Sequence, residues 1–176
     1  MHLIDLKDVL RRTVSGVYGD LVTRRTGQAV RGGIEKMLEE FDGEVAVIDF
    51  STVRCLDISC ADEIVGKLLL QHGHAHYFLL VGLDEGHRDA IQPVLERHQL
   101  AVVAEDRSGT PWPLGALTEP ARQAFGVVAN AGKAAPREVA ECLAVPYDTA
   151  RRALEELCER RLVLEGDGGY EPIRCA

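Results

Sequence analysis

The residues best placed for chemistry are Asp57 and Ser59. They lie in "DFSTVRCLDISCADEIVGKLLL" (Asp49–Leu70), where a strand-like apolar stretch runs into an amphipathic helix. A serine at the mouth of a helix has two uses. As an N-cap, its Oγ accepts a hydrogen bond from a first-turn N–H, worth about 1 kcal/mol. "SCAD" also fits the capping-box pattern of a serine followed three residues later by an acid. As a phospho-acceptor, Ser59 would hold close to two negative charges where free N–H groups and the helix dipole favour an anion. Asp57, Asp62 and Glu63 crowd that end, so a phosphate there would meet repulsion.

Other candidates carry weaker signals. Arg24 and Arg25 stand just before an expected helix start, where cations oppose the dipole. They read either as a solvated helix end or as a contact for a partner or anion. Tyr147, Thr149, Arg151 and Arg152 open a helix near the C-terminus. The N-terminal residues of a recognition helix reach base edges, and arginine suits guanine or phosphate. Against DNA, residues 115–176 hold eight Lys/Arg and ten Asp/Glu, and "EGDGGYE" has no positive charge. DNA contact and protein contact both stand as readings of this helix.

His72, His74 and His76 alternate at period two, but no Cys or Asp nearby completes a zinc sphere, so they read as a polar turn. No metal or cofactor is expected. There is no GxSxG elbow, P-loop or GxGxxG. Asp49 and Asp57 bracket a strand end, yet no base, nucleophile and oxyanion donor converge there. The expectation is a protein that is not an enzyme.

The elements that must position these residues fall into two groups. "HLIDL", "EVAVIDF", "HYFLLVGL" and "LAVVAED" read as strands. Between them, "RTGQAVRGGIEKMLEEF" recurs at helical spacing through Ala29, Val30, Ile34, Met37, Leu38 and Phe41, and Asp42–Gly43 ends it. The helix after Ser59 puts Ala61, Ile64, Val65, Leu68 and Leu69 on one stripe. "EGHRDAIQPVLERHQ" is a further helix that Pro93 should kink or split. This alternation implies an α/β fold, a mixed or parallel sheet with helices packed on it, over residues 1–106.

Residues 107–115, "RSGTPWPLG", read as a linker rich in proline and glycine, with Trp112 docked on a neighbouring domain. Beyond it, residues 116–176 hold a helix capped by Thr118 and stopped by Gly132, a short helix with Pro136 in its first turn, and a third helix from Tyr147. A glycine-rich β-hairpin follows. Three helices and a hairpin are the plan of a small winged helix-turn-helix domain.

Composition bounds the class. The 176 residues are 46% hydrophobic and carry a net charge of -8, which argues against a strong nucleic-acid binder. No run of about 18 apolar residues is present, so no membrane contact is expected. The N-terminus lacks a secretory pattern. Five cysteines without CxxC spacing fit reduced thiols, so a cytoplasmic location is expected.

The stretch "VAVIDFSTVRCLDISCADEIVGKLLL" resembles the STAS domain of anti-sigma-factor antagonists and sulfate-transporter tails, with its buried strand, aspartate, serine two residues later and amphipathic helix. "TRRTGQAVRGGIEKML" and "DISCADEIVGKL" look like the STAS-like branch of unknown function, which carries "SFADE" at the same place. The resemblance covers about residues 1–106. It implies a bacterial signalling or transcription-regulation role and a serine phosphorylated by an ATP-dependent partner, a histidine-kinase-like ATPase or anti-sigma-type kinase. Ser59 occupies that place. The chain departs from antagonists at Ile58, where a second serine is usual, at Cys60, where glycine is usual, and at Asp62, where they lack an acid. The expected function is thus a regulatory, STAS-like partner-binding module with a serine phospho-switch, coupled to a winged helix. The alternative is an assembly module with neither phospho-switch nor DNA binding.

Overall fold

A computed structural model describes residues 1–13, 20–40 and 45–175. Phe41 and the Asp42–Gly43 helix stop lie outside the described residues. The chain is a mixed α/β protein built on a five-stranded, mostly parallel sheet. Strand β1 (His2–Asp5) is followed by α1 (Leu6–Thr13), a short β2 (Asp20–Leu21) and α2 (Arg24–Glu39). Next come β3 (Val45–Asp49), the two-residue β4 (Cys55–Leu56) and one helical run. That run comprises α3 (Ile58–Ala61), a π-helical segment (Asp62–Lys67) and α4 (Leu68–His72). β5 (Tyr77–Val81), α5 (Glu85–Arg97), β6 (Ala101–Glu105) and β7 (Pro111–Gly115) complete the sheet. α6 (Glu119–Ala131), α7 (Pro136–Leu143), α8 (Tyr147–Glu159) and the hairpin β8 (Val163–Gly166)–β9 (Gly169–Pro172) follow.

The sheet order is β1-β3-β5-β6-β7, so each parallel crossover steps in the same direction. Crossovers between parallel strands are right-handed, and steps in one direction therefore put every crossover helix on one face. That face carries Ile4, Ile48, Phe78, Leu80, Val102 and Ala104, packed with Val30, Ile34, Ile64 and Ile91 from the helices. The strand period of two turns Val47, Leu79, Ala101 and Val103 to the other face. These join Phe125, Val128, Leu154, Leu157 and Leu162 in a second apolar cluster. The C-terminal helices thus cover the face that the crossovers leave bare.

The strand β7 corrects the reading of 107–115 as a linker. Pro111–Gly115 is an edge strand, antiparallel to β6 in the register Trp112↔Ala104. Asp106 N–H donates to Thr110 O at 3.1 Å and Ala116 N–H to Leu100 O at 2.8 Å, which puts the even-numbered residues in the bonded positions. The backbone nitrogens of Pro111 and Pro113 therefore point away from β6, where a missing N–H costs no ladder bond. Trp112 packs against the first cluster, with the Arg88 guanidinium 5.3 Å from its ring centre. Pro93 does not split its helix into two elements, since α5 runs through it.

The C-terminal elements follow the expected order. Thr118 Oγ1 accepts from Ala121 N–H at 3.3 Å, and Gly132 stops α6 at φ 75°. Ala150, Leu154 and Leu157 of α8 are buried. Among the described residues, no helix is long and apolar enough to cross a membrane.

Candidate functional site

Asp57 and Ser59 lie beyond the C-terminal end of β3, at the edge of the parallel strands where α/β proteins bind ligands. Asp57 is extended, and its Oδ1 accepts from Cys60 N–H at 2.8 Å. It is therefore Asp57, and not Ser59, that caps the helix. Ser59 is the second helical residue, and its hydroxyl donates to Asp57 Oδ1 at 2.8 Å and Oδ2 at 3.1 Å. The expected "SCAD" capping box does not form, because Asp62 turns toward α2 and α5 instead. Burial pushes the Asp57 carboxyl up, but hydrogen bonds from Cys60 and Ser59 outweigh it, and the pKa falls below its ordinary value. Ser59 is half-buried.

Two neighbours frame this pair. β2 lies parallel to β4, and Asp57 N–H donates to Leu21 O at 2.9 Å. This holds Val22 at the same edge as Ile58, and both side chains stay about half in water, at 52% and 50%. On the other side, Gly86, Asp89 and Ala90 of α5 join Leu56, Asp57, Ile58 and Ser59 around an open depression.

Behind the surface lies a seam of charge that the sequence reading placed differently. Arg24 and Arg25 are the first two residues of α2, not residues preceding it; the cap is Thr23, whose Oγ1 accepts from Thr26 N–H at 3.2 Å. Arg24 Nη1 donates to Asp62 Oδ2 at 3.0 Å and to Glu63 Oε1 at 2.8 Å. Lys67 Nζ donates to Glu63 Oε1 at 2.5 Å, Arg31 Nη2 lies 3.6 Å from Glu63 Oε2, and His98 Nε2 lies 2.8 Å from Asp62 Oδ1. Glu63 is fully buried and Asp62 nearly so. Burial raises both carboxyls. For Asp62, the hydrogen bonds from His98 and Arg24 more than offset it; for Glu63, those from Lys67 and Arg24 do. Both end below their ordinary values.

The close helix approach needs Gly27. A Cβ there would stand 3.0 Å from Cys60 Cα and 3.1 Å from Glu63 Cβ. Cys60 Sγ–H donates to Thr23 O at 2.9 Å, and burial pushes its thiol up to about 12. Sequence reasoning missed this seam. The one readable trace was Glu63–Lys67, an (i, i+4) acid–base pair of favourable order. Its consequence for Ser59 is direct. The acids expected to repel a phosphate are already matched by Arg24, Arg31 and Lys67, which leaves Asp57 as the carboxylate in contact with the hydroxyl.

The four residues expected at the DNA-reading helix open α8, far along the chain from this seam. Tyr147, Thr149 and Arg152 are exposed. Arg151 is held between Asp148, 3.9 Å away, and Glu155. Arg25 is exposed at the start of α2, and no hydrogen bond or ion pair to it is found among the described residues. His72 Nε2 lies 3.6 Å from Glu35, His76 packs edge-on against Phe78, and His74 is exposed. Among the described residues, no group of three or more His, Cys, Asp and Glu is arranged to hold a metal.

No protein-family model, no curated protein and no solved structure matches this chain.

Proposed function

We propose that the chain is a non-catalytic regulatory protein, a STAS-like module that binds a protein partner through the surface around Ser59. The observation that carries this reading is the Ser59–Asp57 pair. A half-exposed hydroxyl donates to a helix-capping carboxylate at the strand ends, with exposed Ile58 and Val22 beside it. Phosphorylation at Ser59 would remove that donor and set a phosphate against the ionised Asp57. The phosphate would then compete for the N–H groups that Asp57 caps. The surface would change shape at the point of contact, as a switch requires. The partner implied by the resemblance is a histidine-kinase-like ATPase or an anti-sigma-type kinase.

The C-terminal helices and hairpin are proposed as a winged helix turned to protein contact rather than to DNA. The outer face of α8 offers Arg151 and Arg152 among Asp148, Glu155 and Glu159, and the hairpin adds Glu165, Asp167 and Glu171, the last paired with Lys133, which leaves the face net acidic. Such a surface repels phosphates.

The test compares Ser59→Asp with Ser59→Ala. The aspartate form is expected to lose a partner, recovered from the source cell and identified, that the alanine form keeps. Phosphosite mapping of the native protein is expected to place a phosphate on Ser59. Equal capture by both variants, with Ser59 never modified, leaves the serine a structural accessory to the Asp57 cap. Salt-titrated binding to DNA from the chain's own genomic neighbourhood, lost in the Arg151→Ala/Arg152→Ala double variant, would restore the DNA reading.

A further inference from the structure

The depression beside Ser59 has a chemistry of its own, and the inference drawn from it rests on the partner-binding reading above. Its walls combine apolar surface from Leu56, Ile58 and Ala90 with two carboxylates, Asp57 and Asp89. Its lining includes no cation. Asp57 is held ionised by its hydrogen bonds, and Asp89 is exposed. Asp84, the cap of α5, and Glu85, its first residue, directly precede Gly86 of this lining and are both exposed. Arg24 is engaged with Asp62 and Glu63, Arg54 with Asp20, and Arg88 over Trp112, which leaves Arg25, exposed at the start of α2, as the cation nearby with no such partner among the described residues. Exposed Val22 and Ile58 extend the apolar part toward α2.

We infer that this surface receives a basic, apolar-anchored segment of a partner protein. An arginine or lysine lays its methylene stem on Leu56, Ile58 and Ala90 and sets its head between Asp57 and Asp89. Long cationic side chains divide in this way between apolar wall and charged tip. A neighbouring leucine-sized side chain of the same segment covers Ile58 and Val22. Charge complementarity selects the occupant, because an acidic segment would bring like charges together at a desolvated contact; a phosphate or aspartate at Ser59 acts against this occupant by displacing the Asp57 carboxylate and reshaping the contact, not by its charge.

The test uses the full chain, isotope-labelled for NMR, and short synthetic peptides of equal length: leucine–arginine, leucine–glutamate and serine–arginine. The leucine–arginine peptide is expected to shift the amides of Val22, Leu56–Ser59, Gly86 and Asp89. It should bind at least about tenfold tighter than either control, a margin typical of one well-placed charged or apolar anchor. Asp89→Lys and Ile58→Ala should each remove most of that margin while leaving the thermal unfolding temperature nearly unchanged. Shifts at these amides with equal affinity for the leucine–glutamate peptide would overturn the basic-partner inference and leave the docking surface standing. Shifts confined to another face, such as α8, or none at all, would overturn both.

Discussion

Arg24 and Arg151 each sit between two carboxylates, one pair in the seam between α2 and the π-helical segment, the other on the outer face of α8. Around Arg24 the acids are Asp62 and Glu63, with 9% and 0% of their side chains in water. Around Arg151 they are Asp148 and Glu155, with 80% and 47%. The drawing is the same and the energetics differ. A buried carboxylate stripped of its partner keeps the full penalty of its desolvation, whereas an exposed one turns to water. The first arginine is therefore part of the fold, and the second is part of the exposed surface.

Substitutions at Arg24, Gly27, Asp57, Ser59 and Arg151, with an acid titration, would break or sharpen that contrast. Arg24→Met should give the largest loss of any single charge removal, a fall of several degrees in the thermal unfolding midpoint at neutral pH. A fall no larger than that of Arg151→Met would erase the distinction between the two sites. Acid unfolding should separate them further. Asp62 and Glu63 are held below their ordinary values, so their contribution is complete above the unfolded carboxyl range, about pH 4, and is lost as pH falls through the folded values. In Arg24→Met the loss should begin at higher pH, while Arg151→Met should follow the parent curve in chemical unfolding across pH.

Gly27→Val should cost about 2 kcal/mol, since its branched side chain has backbone at Cys60 and the Glu63 stem in its way. Unfolding in urea measures it, and an unchanged midpoint would mean that α2 can back away. Asp57→Ala should cost about 1 kcal/mol as a lost helix cap. Ser59→Ala should cost less, which inverts the expectation that the serine is the cap. Arg151→Ala should stay within about 0.5 kcal/mol of the parent.

The same contrast explains what could be read from the chain. Period and caps are local, and they declared β3, β5, β6, α2 and all three C-terminal helices. The strand β7 was hidden because Pro111 and Pro113 look like linker residues. Only its position at a sheet edge, with both proline nitrogens on the side away from β6, makes them acceptable. The seam was hidden for a different reason. Arg24 and Glu63 are 39 positions apart, and only the packing of α2 over the π-helical segment, through Gly27, brings them together. Asp57 and Ser59 were found as a pair, but which of them caps depends on where the first helical residue falls. A shift by two residues exchanges their roles. The acidic balance of residues 115–176, by contrast, was visible as a count of charges.

The unidirectional strand order also has a meaning in time. As the chain leaves the ribosome, β1, β3, β5 and β6 arrive with the helices that shield one side of them, and the opposite side emerges bare. Val47, Leu79 and Val103 wait for Phe125, Val128 and Leu154, which are made after them. Until then the nascent sheet shows a greasy face to chaperones and to its own copies. Messages truncated before α6 should therefore yield a product that is cleared or that clumps, even though every residue around Ser59 has already been translated.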